Sequence, residues 1–132
     1  MPVVSDFIMI GESNKQVSIG VAGANANGWT SPDFNTGGRH APGTAYISFM
    51  VAGMTETTQN AKVLLNNTAE IGALIHNNGG NNKHWQTQMV AFKGSLLKDG
   101  NNTLRVEAVS KPDGTKDPFG IRNVVCHFHQ DT

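Results

Sequence analysis

The chain has 132 residues, the size of one domain around one core, and its ten Lys plus Arg balance ten Asp plus Glu. A neutral chain with no basic run lacks the counterion-release drive of nucleic-acid binding, and it offers anionic lipid no polybasic patch. Glycine, at 15 residues, exceeds its usual share of roughly 7%. Asn is plentiful too, and both accept positive φ, so the chain spends many residues on turns and few on helices.

The one cysteine, Cys126, excludes an intrachain disulfide. A small domain without disulfides fits a reducing compartment. With Val124, Val125 and Phe128 as neighbours, Cys126 is expected on a strand as a buried, inert thiol, since reactivity requires exposure and a cationic setting. The N-terminus, Met-Pro-Val-Val-Ser-Asp, has no basic region followed by an apolar run, so no signal peptide is visible. No apolar stretch approaches the ~18 residues of a membrane span. The expected location is cytoplasmic, or exported without a standard leader.

Residues 3–10 (Val-Val-Ser-Asp-Phe-Ile-Met-Ile) are apolar and β-prone, and Gly11-Glu12-Ser13-Asn14 breaks them. Residues 16–21 alternate, with Val17, Ile19 and Val21 on one side. Residues 22–43 are rich in Gly, Asn, Ala and Pro, with Trp29 and Phe34 as the large apolar groups. A structureless loop of about 20 residues is unusual in a compact domain. Either a short strand lies near Trp29 or Asn35, or the loop is functional. Residues 44–51 form the next strand, centred on Tyr46, Phe49 and Val51. Residues 62–65 follow, then Asn66-Asn67, a pair suited to a tight hairpin, and a short strand over 70–75. Residues 76–84 (His-Asn-Asn-Gly-Gly-Asn-Asn-Lys-His) are a second polar loop. Residues 85–92 alternate, with Trp85, Thr87, Met89 and Ala91 on one face. Residues 96–101 suggest one helical turn stopped by Gly100. Residues 102–109 form a strong strand, Lys111-Pro112-Asp113-Gly114 a turn, and residues 121–128 the last strand.

About eight strands, with turn signals every 8–12 residues and no internal repeat, predict an all-β chain: a two-sheet antiparallel β-sandwich or jelly roll with little helix, forming a single domain over 1–132.

Between residues 62 and 109 the order is Val63-Leu64-Leu65-Asn66-Asn67, then Glu70-Ile71-Gly72, Trp85, Leu96-Leu97-Lys98-Asp99-Gly100, and Asn102-Thr103-Leu104-Arg105-Val106. This order resembles the galactose-binding-like jelly roll, as in the sugar-binding domain of family 2 glycoside hydrolases. Asn67 stands where that family usually has a turn glycine. The resembling positions are scaffold positions: Asn66-Asn67 turns a hairpin, Gly72 permits close approach, and Asn102 hydrogen-bonds across the turn before its strand. The resemblance therefore speaks to the fold, whose members include sugar-binding modules, cell-surface binding modules and domains without a ligand.

Two polar loops are dense in planar hydrogen-bonding groups, holding 12 of the chain's 27 Asn, Gln, His and Arg residues. Residues 22–43 carry Asn25, Asn27, Trp29, Asp33, Asn35, Arg39 and His40. Residues 76–86 carry His76, Asn77, Asn78, Asn81, Asn82, Lys83, His84, Trp85 and Gln86. A sugar needs this mixture, because an aromatic face stacks on the C–H face of a pyranose while amides and charged forks pair with its hydroxyls. Trp85, heading an alternating strand, is assigned to the core. Trp29, Arg39, His40, Asn81, Asn82 and His84 are the expected ligand-binding residues, provided the two loops converge at one end of the sandwich.

His127-Phe128-His129 puts two imidazoles on one strand face. They would chelate a metal if a third ligand arrived, but two solvent-facing histidines beside a core-facing Phe128 is the favoured reading. Asp113-Gly114-Thr115-Lys116-Asp117 is read as a turn rather than a calcium loop. No serine lies in a nucleophile-elbow motif, no carboxylate pair is identifiable by spacing, and Gly20-Val21-Ala22-Gly23 lacks the lysine of a phosphate-binding loop. The expected function is a non-enzymatic, lectin-like module for carbohydrate or glycoconjugate, without cofactor or metal, with association into a homo-oligomer as a further expectation. A self-associating assembly sandwich is the alternative, and a small metal-dependent enzyme on the His127/His129 face a minor one.

Overall fold

The computed structural model describes residues 3–10, 15–37, 43–77 and 84–131. In chain order the strands are β1 (Val3–Met9), β2 (Val17–Ile19), β3 (Gly28–Thr30), β4 (Phe34–Asn35), β5 (Thr44–Ala52), β6 (Ala61–Leu65), β7 (Ala69–Leu74), β8 (Gln86–Lys93), β9 (Asn101–Asn102), β10 (Leu104–Glu107), β11 (Val109–Ser110), β12 (Lys116–Asp117) and β13 (Phe119–Asp131). A single turn of 3-10 helix, Gly94–Leu96, interrupts them. It starts two residues ahead of the expected helical turn and stops at Leu96; Leu97 is already extended, and its N–H bonds to the Gly94 carbonyl. No helix among the described residues is long and apolar enough to cross a membrane.

Two sheets form the sandwich. One has the order β1-β13-β5-β8, with β2 also paired to β13; the other runs β3-β10-β6-β7. Every pairing is antiparallel. Two small ribbons, β11–β12 and β4–β9, complete the ends. Strands β3 and β4 account for the long polar segment: it holds short strands at Trp29 and Asn35, the first of the two alternatives its length allowed.

Side-chain alternation places the core. In β5, Ala45, Ile47, Phe49 and Val51 are buried and the residues between them are not. They face Val63 and Leu65 of β6 and Leu104 and Val106 of β10 in one apolar cluster. Burying each such side chain is worth about 1.5–3 kcal/mol. Trp29 joins this cluster. It lies in β3 opposite Val106 and is only 9% exposed. The expectation of a loop residue outside the core is therefore corrected: beside the glycine and asparagines that surround it, the segment Gly28–Thr30 finds a hydrogen-bonding edge on β10. Trp85 departs the other way and is only partly buried.

The residues carrying the family resemblance are scaffold. Asn66 and Asn67 both take positive φ, 56° and 59°, which a tight β6–β7 hairpin requires. Asn67 thus does the work of the glycine it replaces. Asn66 Oδ1 accepts the Thr103 N–H at 2.9 Å, and its amide donates to Asn102 Oδ1 at 3.0 Å. Asn102 is fully buried; its Oδ1 also accepts the Lys98 N–H at 2.8 Å, and its amide donates to the Lys98 and Gly100 carbonyls, both at 3.3 Å. This side chain, rather than Gly100, holds the turn. At Gly72 a Cβ would come within 2.6 Å of Val90 Cγ1, so the edges β7 and β8 of the two sheets close on one another only because the side chain is absent. Gln88 fastens that corner, with its amide oxygen on the Ile75 N–H at 2.9 Å and its amide nitrogen on the Ile75 carbonyl at 2.8 Å.

Strand β13 lies inside the larger sheet between β1 and β5, and it changes partners along its length. Phe119–Ile121 pair with β2, and the residues from Val125 onward pair with β1. Between them the register against β5 shifts, with Asn123 at φ 52°. The flank of β13 at residues 122–124 is consequently notched, bridged by one backbone bond from Ile10 N–H to the Val124 carbonyl at 2.8 Å.

Candidate ligand-binding cleft

Two adjoining hollows lie at the notch and beside it, while a larger one of about 730 Å³ lies along β6 and β7 at Lys62 and Glu70. On the outer face of the larger sheet a cleft of about 430 Å³ lies between Gln16 and Ser18 of the β2 segment, Gly53 after β5, Trp85 before β8, and Pro118 and Gly120 at the start of β13. A second hollow of about 340 Å³ opens at the notch and shares Gln16 and Ser18 with the first. Its wall includes Asn25, Trp29, Lys15 and Arg122. The two tryptophans thus flank a common polar ridge, although Trp29 shows only a margin of its ring.

Local sequence sets this geometry. Gln16 and Ser18 alternate with Val17 and Ile19, whose side chains turn inward, so both polar side chains point out. Gly120 makes room for Gln16, because a Cβ there would meet its Nε2 at 2.6 Å. The Gln16 amide in turn lies 3.4 Å from the Ser18 hydroxyl. Arg122, two residues further along β13, places its guanidinium carbon 4.3 Å from the centre of the Trp85 ring. Arg122 Nε is buried without a hydrogen-bond partner, so the ring contact is what holds that end of the side chain.

Asn77 anchors the margin. It is buried, its Oδ1 accepts the Met54 N–H at 3.1 Å, and its amide donates to the Val51 carbonyl at 2.9 Å. Its remaining amide contacts reach the His84 carbonyl and Gln86 Oε1, both at 3.4 Å. Asn77 therefore ties the loop ahead of Trp85 to the end of β5, and its polar atoms are engaged within the chain. Across the same end Asp117, also buried, accepts the Thr55 N–H at 2.9 Å, the Thr55 hydroxyl at 3.0 Å and the Glu56 N–H at 2.8 Å.

Of the expected ligand-binding residues, Arg39, His40, Asn81 and Asn82 lie outside the described residues. Trp29 is in the core and reaches the notch. His84 is exposed and adjoins Trp85. The flanks of the two polar loops do not converge. Thr44, after the first loop, pairs with Lys93, whereas Gln86, after the second, pairs with Val51. Seven residue steps separate these ends, about 23 Å of strand. Strand β3 divides the first loop, so only its early part, with Asn25, shares the end that holds Trp85. Gln16, Ser18 and Arg122 carried no signal in the sequence, since outward residues on a strand look like ordinary solvent-facing positions.

The other chemical candidates resolve as structure. His127 stacks on Tyr46 with ring centres 4.4 Å apart and planes at 17°, and Phe7 tilts against it at 6.2 Å. Ser48 Oγ lies 3.5 Å from His127 Nε2. Among the described residues no group of three or more His, Cys, Asp and Glu could hold a metal ion. Asp113 Oδ1 accepts the Thr115 hydroxyl at 2.6 Å and N–H at 2.9 Å. Chiefly the hydroxyl bond, then the backbone one, holds the Asp113 carboxyl below its ordinary range. It caps the β11–β12 turn, while Asp117 faces Thr55. Cys126 is fully buried, and loss of solvation pushes its thiol up to about 12.

No family model matches the chain, and no curated protein matches it. Solved structures do. A family 35 carbohydrate-binding module from Clostridium thermocellum superposes with TM-score 0.51 at 15% identity, over 96% of this chain and 91% of that one. The fold is a galactose-binding-like jelly roll. The same jelly roll matches part of a β-porphyranase of glycoside hydrolase family 86 from the human gut bacterium Bacteroides plebeius, with TM-score 0.55 at 13% identity over 98% of this chain. The chain spans about a fifth of that enzyme, 21% of its length. At these identities the likeness is one of fold.

Proposed function

We propose that this jelly roll is a non-catalytic carbohydrate-binding module whose site is the Trp85 cleft. The carrying observation is an indole that is only partly buried, steadied by Arg122 and set beside the Gln16 amide and Ser18 hydroxyl. An aromatic surface beside planar and hydroxyl hydrogen-bonding groups suits the two kinds of surface on a pyranose. His84, next to Trp85, belongs to this reading, whereas Asn81, Asn82, Arg39 and His40 lie outside the described residues.

A binding rather than hydrolytic role is supported by the lining. No carboxylate borders either hollow among the described residues, whereas glycoside hydrolysis generally uses a pair. The carbohydrate-binding module named above has the same fold, which is compatible with this reading.

A glycan array followed by titration calorimetry tests it. Selective binding should be weakened by about 1–3 kcal/mol in Trp85→Ala, the range for a central aromatic contact, and Gln16→Ala should lose less. Array silence, or equal affinity for Trp85→Ala, would overturn the assignment.

A further inference from the structure

Charge is distributed unevenly around the two hollows. Lys15 and Arg122 both line the one at the notch, with Gln16, Ser18 and Asn25. No carboxylate lines either hollow among the described residues, although the chain as a whole carries ten acidic groups to ten basic ones. Arg122 links the two hollows. It lines the notch, while its guanidinium carbon lies 4.3 Å from the centre of the Trp85 ring in the adjoining cleft. A ring face attracts the charge but supplies no oxygen to the five N–H donors. Arg122 Nε is buried without a hydrogen-bond partner, and a buried donor on a charged group is costly to leave unpaired. Gln16 and Ser18 are common to both hollows. Ser18 pairs with Gly120, the residue whose missing side chain leaves room for the Gln16 amide. A ligand that spans this ridge from Trp85 therefore meets two cations and no anion in the notch.

We infer that the notch hollow is a subsite for an anionic substituent, a carboxylate or a sulfate ester, on the glycan whose ring contacts Trp85. This subsite presupposes the sugar reading of the Trp85 cleft and adds a charge preference to it. A guanidinium presents a fork of N–H donors that matches two oxygens of one oxyanion, and a lysine adds a compact point charge beside it. Both anions offer such a pair of oxygens. The Gln16 and Asn25 amides and the Ser18 hydroxyl can donate to oxygens that remain. A concave site lined by one sign of charge also concentrates its field on the ligand. At about 340 Å³ the hollow is at the small end for a ligand site, which suits one charged group and part of the ring bearing it. A neutral sugar would desolvate the same two cations without compensating them.

Matched glycan triplets on an array, followed by titration calorimetry, read this. Each neutral glycan is set beside its uronate, with the hydroxymethyl group oxidised to carboxylate, and beside its sulfate ester. The parent should bind an acidic member at least about tenfold more tightly than the neutral one, the margin of a charge-assisted bond over a neutral bond. Uronate above sulfate names carboxylate as the bound group, and the reverse order names sulfate. Raising sodium chloride from about 50 to 500 mM should erode this margin and leave neutral binding unchanged. Lys15→Gln and Arg122→Gln should each weaken acidic binding several-fold, and the double variant should bind acidic and neutral members alike. Arg105→Gln, which removes a cation of the other sheet bonded to Thr30, should keep the preference. Lys15 is exposed, so its variant still reports if circular dichroism shows Arg122→Gln misfolded. Neutral members bound as tightly as acidic ones, with binding lost in Trp85→Ala, overturn the subsite and leave the sugar cleft standing. An acidic preference that survives the double variant also overturns it, by placing the anion elsewhere. Silence across all triplets removes cleft and subsite together.

Discussion

The guanidinium of Arg122 lies 4.3 Å from the centre of the Trp85 ring, joining the central strand β13 to the start of the outer strand β8 across β5. Such a contact contributes about 0.5–2 kcal/mol, depending on how far the pair is desolvated. It fixes the indole at the edge of the cleft while leaving its other surroundings open.

Removing that support should affect binding more than folding. Arg122→Ala should shift Trp85 fluorescence, lower the melting temperature by a few degrees, and weaken a sugar found by array several-fold. Arg122→Lys should recover part of the affinity, because a cation still faces the ring. Unchanged affinity in Arg122→Ala would remove Arg122 from the description of the site.

Trp29 behaves oppositely. It is buried opposite Val106, so Trp29→Ala should cost about 3–5 kcal/mol of stability, the range for an aromatic deleted from a core. Urea unfolding measures this. A variant as stable as its parent would show that the ring is not part of the packed interior.

Cys126 gives a pH prediction. Its folded pKa, about 12, exceeds the thiol's ordinary 9.0 because burial disfavours the thiolate. The native state therefore prefers the neutral form. Its contribution is whole below pH 9 and is lost as pH climbs toward 12, by at most about 1.4 kcal/mol per pH unit. Cys126→Ala should flatten that alkaline limb of the stability curve. Thiol reagents should label the native protein only as fast as it opens, and rapid labelling at pH 8 would contradict burial.

Gly72→Ala should destabilise by about 1–3 kcal/mol through overpacking, since the added carbon meets Val90 Cγ1 at 2.6 Å. Adding Val90→Ala should cost less in that background than in the parent. A double-mutant cycle reads the coupling; strict additivity would mean that the two edges do not press on one another.

Sequence alone determined the layers of this protein. Alternation in residues 16–21, 44–51 and 102–109 needs no partner to be read, because successive strand side chains point to opposite faces whatever lies across the sheet. Turn chemistry is equally local: Asn66 and Asn67 accept positive φ on their own account, and Asn102 bonds to a turn only four residues away. Phe128 between His127 and His129 was placed by the same rule. Partnership between distant segments was decided by the tertiary structure. Trp29 became core because β10 offered an edge to Gly28–Thr30, and Trp85 remained at the surface because β8 turns Val90 and Phe92 inward, which leaves Trp85 on the outward side with Thr87 and Met89. The cleft arises where β13 exchanges β2 for β1, bringing Gln16, Ser18, Arg122 and Trp85 from three separate segments to one place. The same pairings set Phe7, His127, Tyr46 and Met89 side by side. Periodicity assigns each residue a face, but only strand order and register, fixed by long-range pairing, determine which residues share it.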